Sequence, residues 1–180
     1  MEPELIGGPE EREIVIVAYD PAWPARFEGH RARIADALRT RALRIEHVGS
    51  TAVPELAAKP IVDIQLSVSD VEDEGRYVPG LEAAGYRLRV REEGHRLLRE
   101  AAAVHIHVCP QGSDWERRHL LFRDWLRTDA TDRERYAETK MELAARAWQT
   151  MNHYADAKSA VIEQIMRRAE RWARRTGWRL

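Results

Sequence analysis

The spacing of hydrophobic and polar residues divides the chain near residue 112. Before this point, short apolar or alternating runs typical of β-strands stand between segments with the 3.6-residue period of helices. The predicted strands are 43–48, 60–68, 86–90, 95–100 and 104–108. The predicted helices are 25–41, 70–85 with an interruption near Pro79, 115–127, 129–149 and 153–174. Because helices alone follow the last strand, we predict an α+β core with a C-terminal helical subdomain.

The start of the chain has a different pattern. Residues 1–12 contain glycines and prolines and no long apolar run, which predicts a flexible N-terminal lead-in. Residues 13–19 are mostly apolar and predict a short strand or an extended arm, which a proline-containing turn ends. The predicted organisation is a single domain over 13–176, with an α+β core over 13–112 and a helical part over 113–176.

Composition narrows the class of protein mainly by exclusion. With 44% hydrophobic and 33% charged residues, the 180-residue chain has the balance of a globular domain. The net charge of -1 gives no overall attraction to nucleic acid or to an anionic membrane. The single cysteine, Cys109, excludes an internal disulfide and a multi-cysteine zinc site. Since no segment has the pattern of a signal peptide or a bilayer-spanning helix, we expect a cytoplasmic protein without membrane or nucleic-acid partners.

The most informative segment runs from a glycine-serine turn to an acidic strand. Gly49 and Ser50 end the predicted strand 43–48, and Asp63 and Gln65 lie in the next strand. Glycine permits a sharp turn, and backbone N–H groups and the Ser50 hydroxyl can then approach a phosphate. A carboxylate at Asp63 would hold Mg²⁺ beside that phosphate. The alternative is an ordinary turn, with Asp63 capping a helix or pairing with Lys59.

Together with its surroundings, this segment resembles the GrpB family. The matching blocks are IEHVGSTAVP (45–54), LAAKPIVDI (56–64), YDP with WP (19–24), HIHV (105–108), LFRDWLR (121–127), Tyr136 with Lys140, and Tyr154 with Lys158. The resemblance covers about residues 13 to 170, and some members of the family are fused to dephospho-CoA kinase. The Gly-Ser turn followed by an acidic strand also resembles the nucleotidyltransferase superfamily. These resemblances imply a nucleotidyltransferase-like fold, with a small mixed β-sheet flanked by helices before the C-terminal helical subdomain. They also imply an enzyme that uses ATP or another nucleoside triphosphate with Mg²⁺.

The resemblance assigns roles to particular residues. The expected catalytic residues are Asp63 and His107, and the expected metal ligands are Asp63, Gln65 and His107. The expected nucleotide-binding residues are Gly49, Ser50, Lys59, Arg123, Lys140 and Lys158. Gln65 stands where the superfamily has a second acidic residue, which weakens the expectation of Mg²⁺. Glu55 stands where the family usually has glycine, and Thr150 where an acidic residue is usual.

Several alternatives stay open at this point. Nucleotidyl transfer to a small-molecule acceptor, ATP-dependent activation of a carboxylate for ligation, and binding without catalysis all need the same phosphate site. His105 shares a strand face with His107, but both also fit a half-exposed strand, and His47 fits either the site or a position packed beneath the turn. Tyr136 is expected in the core. The basic end around Arg171 and Arg174 fits a solvated helix better than a partner surface.

Overall fold

The chain folds into a mixed six-stranded sheet with helices against both of its faces. The computed structural model describes residues 3–7, 15–101, 103–146 and 157–180. The strands are β1 (Glu4–Leu5), β2 (Arg44–Val48), β3 (Val62–Val68), β4 (Arg87–Glu92), β5 (His95–Glu100) and β6 (Val104–Pro110). The helices are α1 (Trp23–Leu38), α2 (Val78–Ala83), α3 (Asp114–Thr128), α4 (Ala130–Ala144) and α5 (Ser159–Thr176). The predicted α+β fold is confirmed. Each helix in this part of the chain is too short or too polar to cross a bilayer.

The strand order brings two distant segments together at the centre of the sheet. The order is β1-β4-β5-β6-β3-β2, and within the described residues only β3 and β6 run parallel. Parallel neighbours need a long crossover, which the segment containing α2, β4 and β5 provides here. The register pairs Asp63 with His105 and Gln65 with His107, so their side chains leave the same face of the sheet.

The opposite face of the sheet carries the main hydrophobic core. Along β3 and β6 the alternate positions are apolar, and Ile64, Leu66 and Ile106 are fully buried. They pack against α1, whose Ile34 and Leu38 are also fully buried. Period-2 alternation in the strands and a 3.6-residue period in the helix thus meet at one interface.

A second hydrophobic cluster joins the C-terminal helices to the loop after β2. Its members come from α3, α4 and α5 and from Val53 and Leu56. α3 begins where the Ser113 hydroxyl accepts the N–H of Glu116 at 3.2 Å, and α4 begins where the carboxylate of Asp129 accepts an N–H in the first turn. This cluster therefore fixes the helical part over the loop that carries Ser50.

The predicted helix 70–85 is wrong over most of its length. The structure has a 3-10 turn at Glu74–Arg76 and a helix only at α2. Asp70 accepts the N–H of Glu72 with its own side chain, which favours a turn over a helix. Pro79 lies in the first helical turn, where its missing N–H costs nothing, so it begins the helix rather than interrupting it.

Three further boundaries differ from the prediction. Residues 4–5, within the predicted flexible lead-in, add an edge strand by pairing with Val90 and Arg91. Residues 15–19 form no regular strand: Val17 pairs with Ala58 at an isolated bridge, which fits the extended arm. Helix α4 ends before residues 145 and 146, although the prediction continued it to 149. Residues 13–14, 147–150 and 153–156 of the predicted elements lie outside the described residues.

Candidate functional site

The glycine-serine turn after β2 is shaped by its contact with Asp63. Gly49 has φ 70° and ψ -171°, a conformation that favours glycine strongly. A Cβ at this position would stand 2.6 Å from Oδ2 of Asp63. Both observations require glycine, because any side chain would strain the backbone and displace the carboxylate. The 3-10 turn Ser50–Ala52 follows directly and points Ser50 into a cavity beside Asp63.

Asp63 lies between two histidines from the neighbouring strand. Its Oδ1 is 3.4 Å from Nδ1 of His105 and 3.3 Å from Nε2 of His107. The three ligand atoms lie within 4.8 Å of one another, as in a metal site. Burial raises the pKa of Asp63, but its interactions with the two imidazoles outweigh this effect and hold the pKa well below its ordinary value. Burial lowers the pKa of His105 despite the nearby carboxylate.

A chain of hydrogen bonds continues from His107 toward the edge of the sheet. Nδ1 of His107 is 3.0 Å from Nε2 of His95, whose Nδ1 is 2.6 Å from a carboxylate oxygen of Glu92. Burial lowers the pKa of His95 to about 3, so this ring is neutral. The rings of His95 and His107 stack on Trp115 of α3, which also stacks on His119 at 3.6 Å. The aromatic stack fixes the orientation of His107.

Three lysines surround the other side of Asp63. They lie with Ser50 and Asp63 around a cavity of about 160 Å³. The remaining residues of the lining are Ile16, Thr51, Ile61 and His105. The ammonium group of Lys140 donates to the Ser50 hydroxyl at 2.9 Å and to the carbonyl of Ala57, and lies 4.6 Å from the centre of the Tyr136 ring. We call this space the lysine cavity.

These are the only lysines in the chain. The other 26 basic residues are arginines, so Lys59, Lys140 and Lys158 are all the lysines and all of them line this one cavity. Burial lowers the pKa of Lys140 to about 7, helped by repulsion from the other two ammonium groups. Burial and Lys158 lower the pKa of Lys59 to about 8, and burial lowers that of Lys158. The cavity therefore concentrates positive charge in a place where water stabilises it poorly.

Comparison with known proteins identifies the family. A family profile described as GrpB protein matches residues 13–168. The chain belongs to the GrpB family. It is 51% identical over 167 residues to a UPF0157 protein of Streptomyces coelicolor, and the alignment covers 92% of this chain and 89% of that protein. The crystal structure of the conserved protein GrpB from Enterococcus faecalis superposes with a TM-score of 0.77 at 32% identity, covering 88% of this chain and 99% of that one.

The similarity extends to part of a larger protein. A protein named dephospho-CoA kinase from Mycolicibacterium paratuberculosis is 32% identical to this GrpB-family chain over 194 residues. The alignment covers 91% of this chain but only 48% of that protein.

The structure brings most of the predicted site residues of this GrpB-family chain together. Around the lysine cavity or beside it lie Gly49, Ser50, Lys59, Asp63, His107, Lys140 and Lys158. Gln65 leaves the same face of β3, but both polar atoms of its amide are buried and meet no hydrogen-bond partner among the described residues. Its role as a metal ligand stays a prediction.

Arg123 lies in a different cavity. That cavity, of about 640 Å³, is also lined by Arg127, Arg133 and the aromatic rings of Tyr19 and Phe27, and we call it the arginine cavity. Arg123 donates there to Glu46 at 2.7 Å and to the carbonyl of His47 at 3.0 Å. Lys59, Asp63, Lys140 and Lys158 do not line this cavity, so the structure does not join Arg123 to the lysines.

Two of the open alternatives are decided by packing. His47 stacks on Phe27 of α1 and its Nε2 lies 2.9 Å from the hydroxyl of Thr51, so it is packed beneath the turn. Tyr136 is buried in the second cluster, as expected. Glu55, at the position where the family usually has glycine, has φ 67°, which explains that preference. Thr150 and Tyr154 lie outside the described residues.

Sequence reasoning missed part of the site. It gave His105 less weight than His107 and did not include Glu92, His95 or Trp115, which belong to the chain of contacts described above. The His-x-His spacing was a usable signal for His105, since both side chains leave one face of a strand. The restriction of lysine to three positions in an arginine-rich chain was also visible in the sequence.

Proposed function

We propose that this GrpB-family chain is an enzyme that binds the polyphosphate chain of a nucleoside triphosphate in the lysine cavity. It then transfers a nucleotidyl group to, or activates, a small-molecule acceptor. The observation that carries the proposal is the convergence of all three lysines with Ser50 on one small cavity. A polyphosphate offsets the mutual repulsion of the ammonium groups, and compact ammonium charges are common phosphate ligands.

The residues of the lysine cavity supply electrostatic stabilisation to such a reaction. The tight turn at Gly49 holds the Ser50 hydroxyl in place, and Ser50 in turn accepts from Lys140. Ammonium groups fixed before the reaction stabilise negative charge that develops on a leaving phosphate without having to reorient. Packing of α4 against α5 holds Lys140 over the turn, so the helical part contributes to the site and not only to stability.

The donor set beside the cavity does not fit the resident Mg²⁺ that the sequence suggested. Mg²⁺ prefers six oxygen ligands in octahedral geometry, commonly from carboxylates, phosphates and water. Here one carboxylate, Asp63, stands between the imidazoles of His105 and His107. We therefore assign no step to a resident Mg²⁺. The Mg²⁺ that accompanies a triphosphate in solution belongs to the substrate.

The arginine cavity supports a carboxylate-bearing acceptor, and with it the ligase alternative. Arg123 is paired with Glu46 at 2.7 Å and Arg133 with Glu55 at 3.0 Å. Arg127 donates to the carbonyl of Ala52, and its carboxylate neighbour, Asp124, is 3.8 Å away. The guanidinium of Arg127 can therefore bind a substrate carboxylate with two parallel hydrogen bonds. The turn Ser50–Ala52 borders both cavities.

The family relationship adds limited support. One relative is named a dephospho-CoA kinase, and nearly half of that protein is similar to this chain. The similarity associates the domain with an enzyme of phosphate transfer.

Calorimetric titration tests the proposal. ATP, GTP, CTP and UTP are titrated with Mg²⁺ into the wild type and into Lys140→Met, with Arg127→Met as a control that removes a cation from the arginine cavity. Charged hydrogen bonds contribute about 1.5–3 kcal/mol each, so we expect Lys140→Met to weaken binding about 10- to 100-fold and Arg127→Met to leave it unchanged. Absence of binding for all four nucleotides, or equal binding by Lys140→Met, would contradict the proposal. Binding with no release of phosphate or pyrophosphate in the presence of carboxylate acceptors would favour a binding module, as Gln65 suggests.

A further inference from the structure

The mismatch with Mg²⁺ points to a different ion. We infer that Asp63, His105 and His107 form a binding site for a borderline divalent cation of the Zn²⁺ class, in tetrahedral or near-tetrahedral geometry. The inference concerns the ion alone and does not depend on whether the lysine cavity binds a nucleotide.

Two of the three distances between the donor atoms match tetrahedral coordination, and all three are at most 4.8 Å. Ligands about 2.0–2.1 Å from Zn²⁺ in tetrahedral geometry stand about 3.3 Å from one another. Oδ1 of Asp63 is 3.3 Å from Nε2 of His107 and 3.4 Å from Nδ1 of His105. Adjacent ligands of an octahedral Mg²⁺ at a similar radius stand closer, about 3.0 Å apart. The separations therefore agree better with a four-coordinate ion.

The donor types lead to the same class of ion. Two imidazoles and one carboxylate are ligands of Zn²⁺ and related transition metals, whereas Mg²⁺ and Ca²⁺ prefer oxygen. Three protein ligands also leave a fourth position for water or substrate. Asp63 and His105 line the lysine cavity, so an ion held by them would touch that cavity.

The hydrogen bonds that link His107 to His95, and His95 to Glu92, indicate which ring nitrogen of His107 carries a proton. The carboxylate of Glu92 can only accept, so Nδ1 of His95 is its donor. The 3.0 Å contact between Nε2 of His95 and Nδ1 of His107 then lets Nδ1–H of His107 donate to His95. The remaining nitrogen of His107, Nε2, presents a lone pair to Asp63 when the ring is neutral. A carboxylate and a lone pair that face each other are stabilised by a cation between them, either a metal ion or a proton.

This arrangement is the usual outer support of a metal-binding histidine. Such a ligand commonly donates its second N–H to another group, which fixes its tautomer and orientation. Here His95 accepts that N–H, and stacking on Trp115 holds both rings. The buried Nε2 of His105 and the buried amide of Gln65, on the same face, meet no partner among the described residues. Buried polar atoms without protein partners are expected where a bound group or water completes a site.

The competing explanation is that a proton on His107, rather than a metal ion, lies between His107 and Asp63. If His107 is an imidazolium, it forms an ion pair with Asp63 and no metal is required. The two explanations differ in the affinity of the folded protein for Zn²⁺ and Co²⁺. An ion pair gives no tight stoichiometric binding of either metal, whereas a site of three preset ligands does.

The test is titration of the metal-free, untagged 180-residue chain with Co²⁺ and Zn²⁺. We expect one equivalent of Co²⁺ to produce visible d–d absorption of a four-coordinate ion, and one equivalent of Zn²⁺ to remove it. Mg²⁺ at 100-fold excess over Co²⁺ should leave the spectrum unchanged, because hard cations avoid imidazole. Circular dichroism of each variant shows whether it is folded before its metal binding is compared.

Matched variants separate the site from other histidines. We expect His107→Gln and Asp63→Asn to lose at least 100-fold in affinity for Co²⁺. His95→Phe keeps an aromatic ring against Trp115 but removes the acceptor, and should weaken Co²⁺ binding about 10- to 100-fold. His30→Gln is the control, because His30 lies on α1 and contacts Tyr86. Wild-type protein that binds Co²⁺ no better than His107→Gln, or that exchanges it readily for Mg²⁺, would overturn the inference.

Discussion

The two faces of the strand pair β3–β6 differ in what they contribute to the molecule. On one face Ile64, Leu66 and Ile106 are fully buried against helices α1 and α2. On the other face, at positions adjacent to these residues in the same strands, lie Asp63 and His107. The apolar face stabilises the fold, whereas the polar face places groups that are costly to bury where a ligand can reach them. Strand alternation thus lets two seven-residue segments form both core and site.

Among the variants considered, we expect the greatest loss of stability from a substitution in the core on the apolar face of β6. Ile106→Ala removes a fully buried side chain and leaves a cavity, so we expect the free energy of unfolding to fall by about 2–5 kcal/mol. Urea denaturation of metal-free protein measures it. Although Ile106 stands between His105 and His107, its side chain leaves the other face. Affinity for ATP or Co²⁺ in the folded variant should therefore change less than threefold.

A large loss of ligand affinity in folded Ile106→Ala would contradict this division between the faces. The matched control on the polar face is His107→Gln, which should lose metal binding while losing less stability than Ile106→Ala.

A substitution on the polar face should change the free energy of unfolding by a smaller amount and in the opposite direction. Gln65 is fully buried, and its amide nitrogen and oxygen have no hydrogen-bond partner among the described residues. Replacing such a group with an apolar side chain of similar size removes a desolvation penalty of about 1–3 kcal/mol. We therefore expect Gln65→Met to raise the free energy of unfolding of the ligand-free protein. Thermal and urea denaturation measure the change.

The Gln65→Met variant also tests whether the buried amide on the polar face contributes to ligand binding. If the amide completes the site, Gln65→Met should gain stability and lose affinity for metal or nucleotide, as expected where a site is maintained at the expense of stability. A variant that is less stable than the wild type would show that the amide is satisfied in solution and that the polar face is not strained at this residue.

Much of the fold was predictable because local patterns dominate it. The β-branched run of β3 and the alternation of β6 predicted two strands, and the caps of α3 and α4 predicted where those helices begin. The central position of the two strands comes from the structure. The helix over 70–85 failed because the side chain of Asp70 and the position of Pro79 outweigh a periodic apolar pattern. The edge strand at residues 4–5 was missed because two residues carry no recognisable period.

Site residues that lie in one segment of the sequence could be predicted. Residues that the strand order brings together from distant segments could not. Gly49, Ser50 and Asp63 follow from a single segment together with the family resemblance. His95 joins His107 only because β5 lies beside β6, and no local pattern of the sequence gives the strand order. Arg123 was assigned to the phosphate from a family block, but the direction of α3 places it in the arginine cavity.

If the lysines bind polyphosphate, the lysine cavity should take up protons when it binds a polyanion, and the number of protons can be measured. In the free protein burial and the neighbouring ammonium groups lower the pKa of Lys140 to about 7 and, with burial, that of Lys59 to about 8. At pH 8.5 both are therefore mostly neutral, and phosphate oxygens beside them should raise the pKa values again. Affinity should fall as the pH rises above 7, because binding must then protonate these lysines.

Calorimetric titration of inorganic triphosphate at pH 8.5, in buffers of different ionisation enthalpy, measures this uptake. We expect about one to two protons per triphosphate in the wild type and about one fewer in Lys140→Met, if that variant still binds measurably. Arg127→Met, changed in the other cavity, should match the wild type. Binding without proton uptake, or no binding at any pH between 6 and 8.5, would contradict the claim that the lysines form a polyphosphate site.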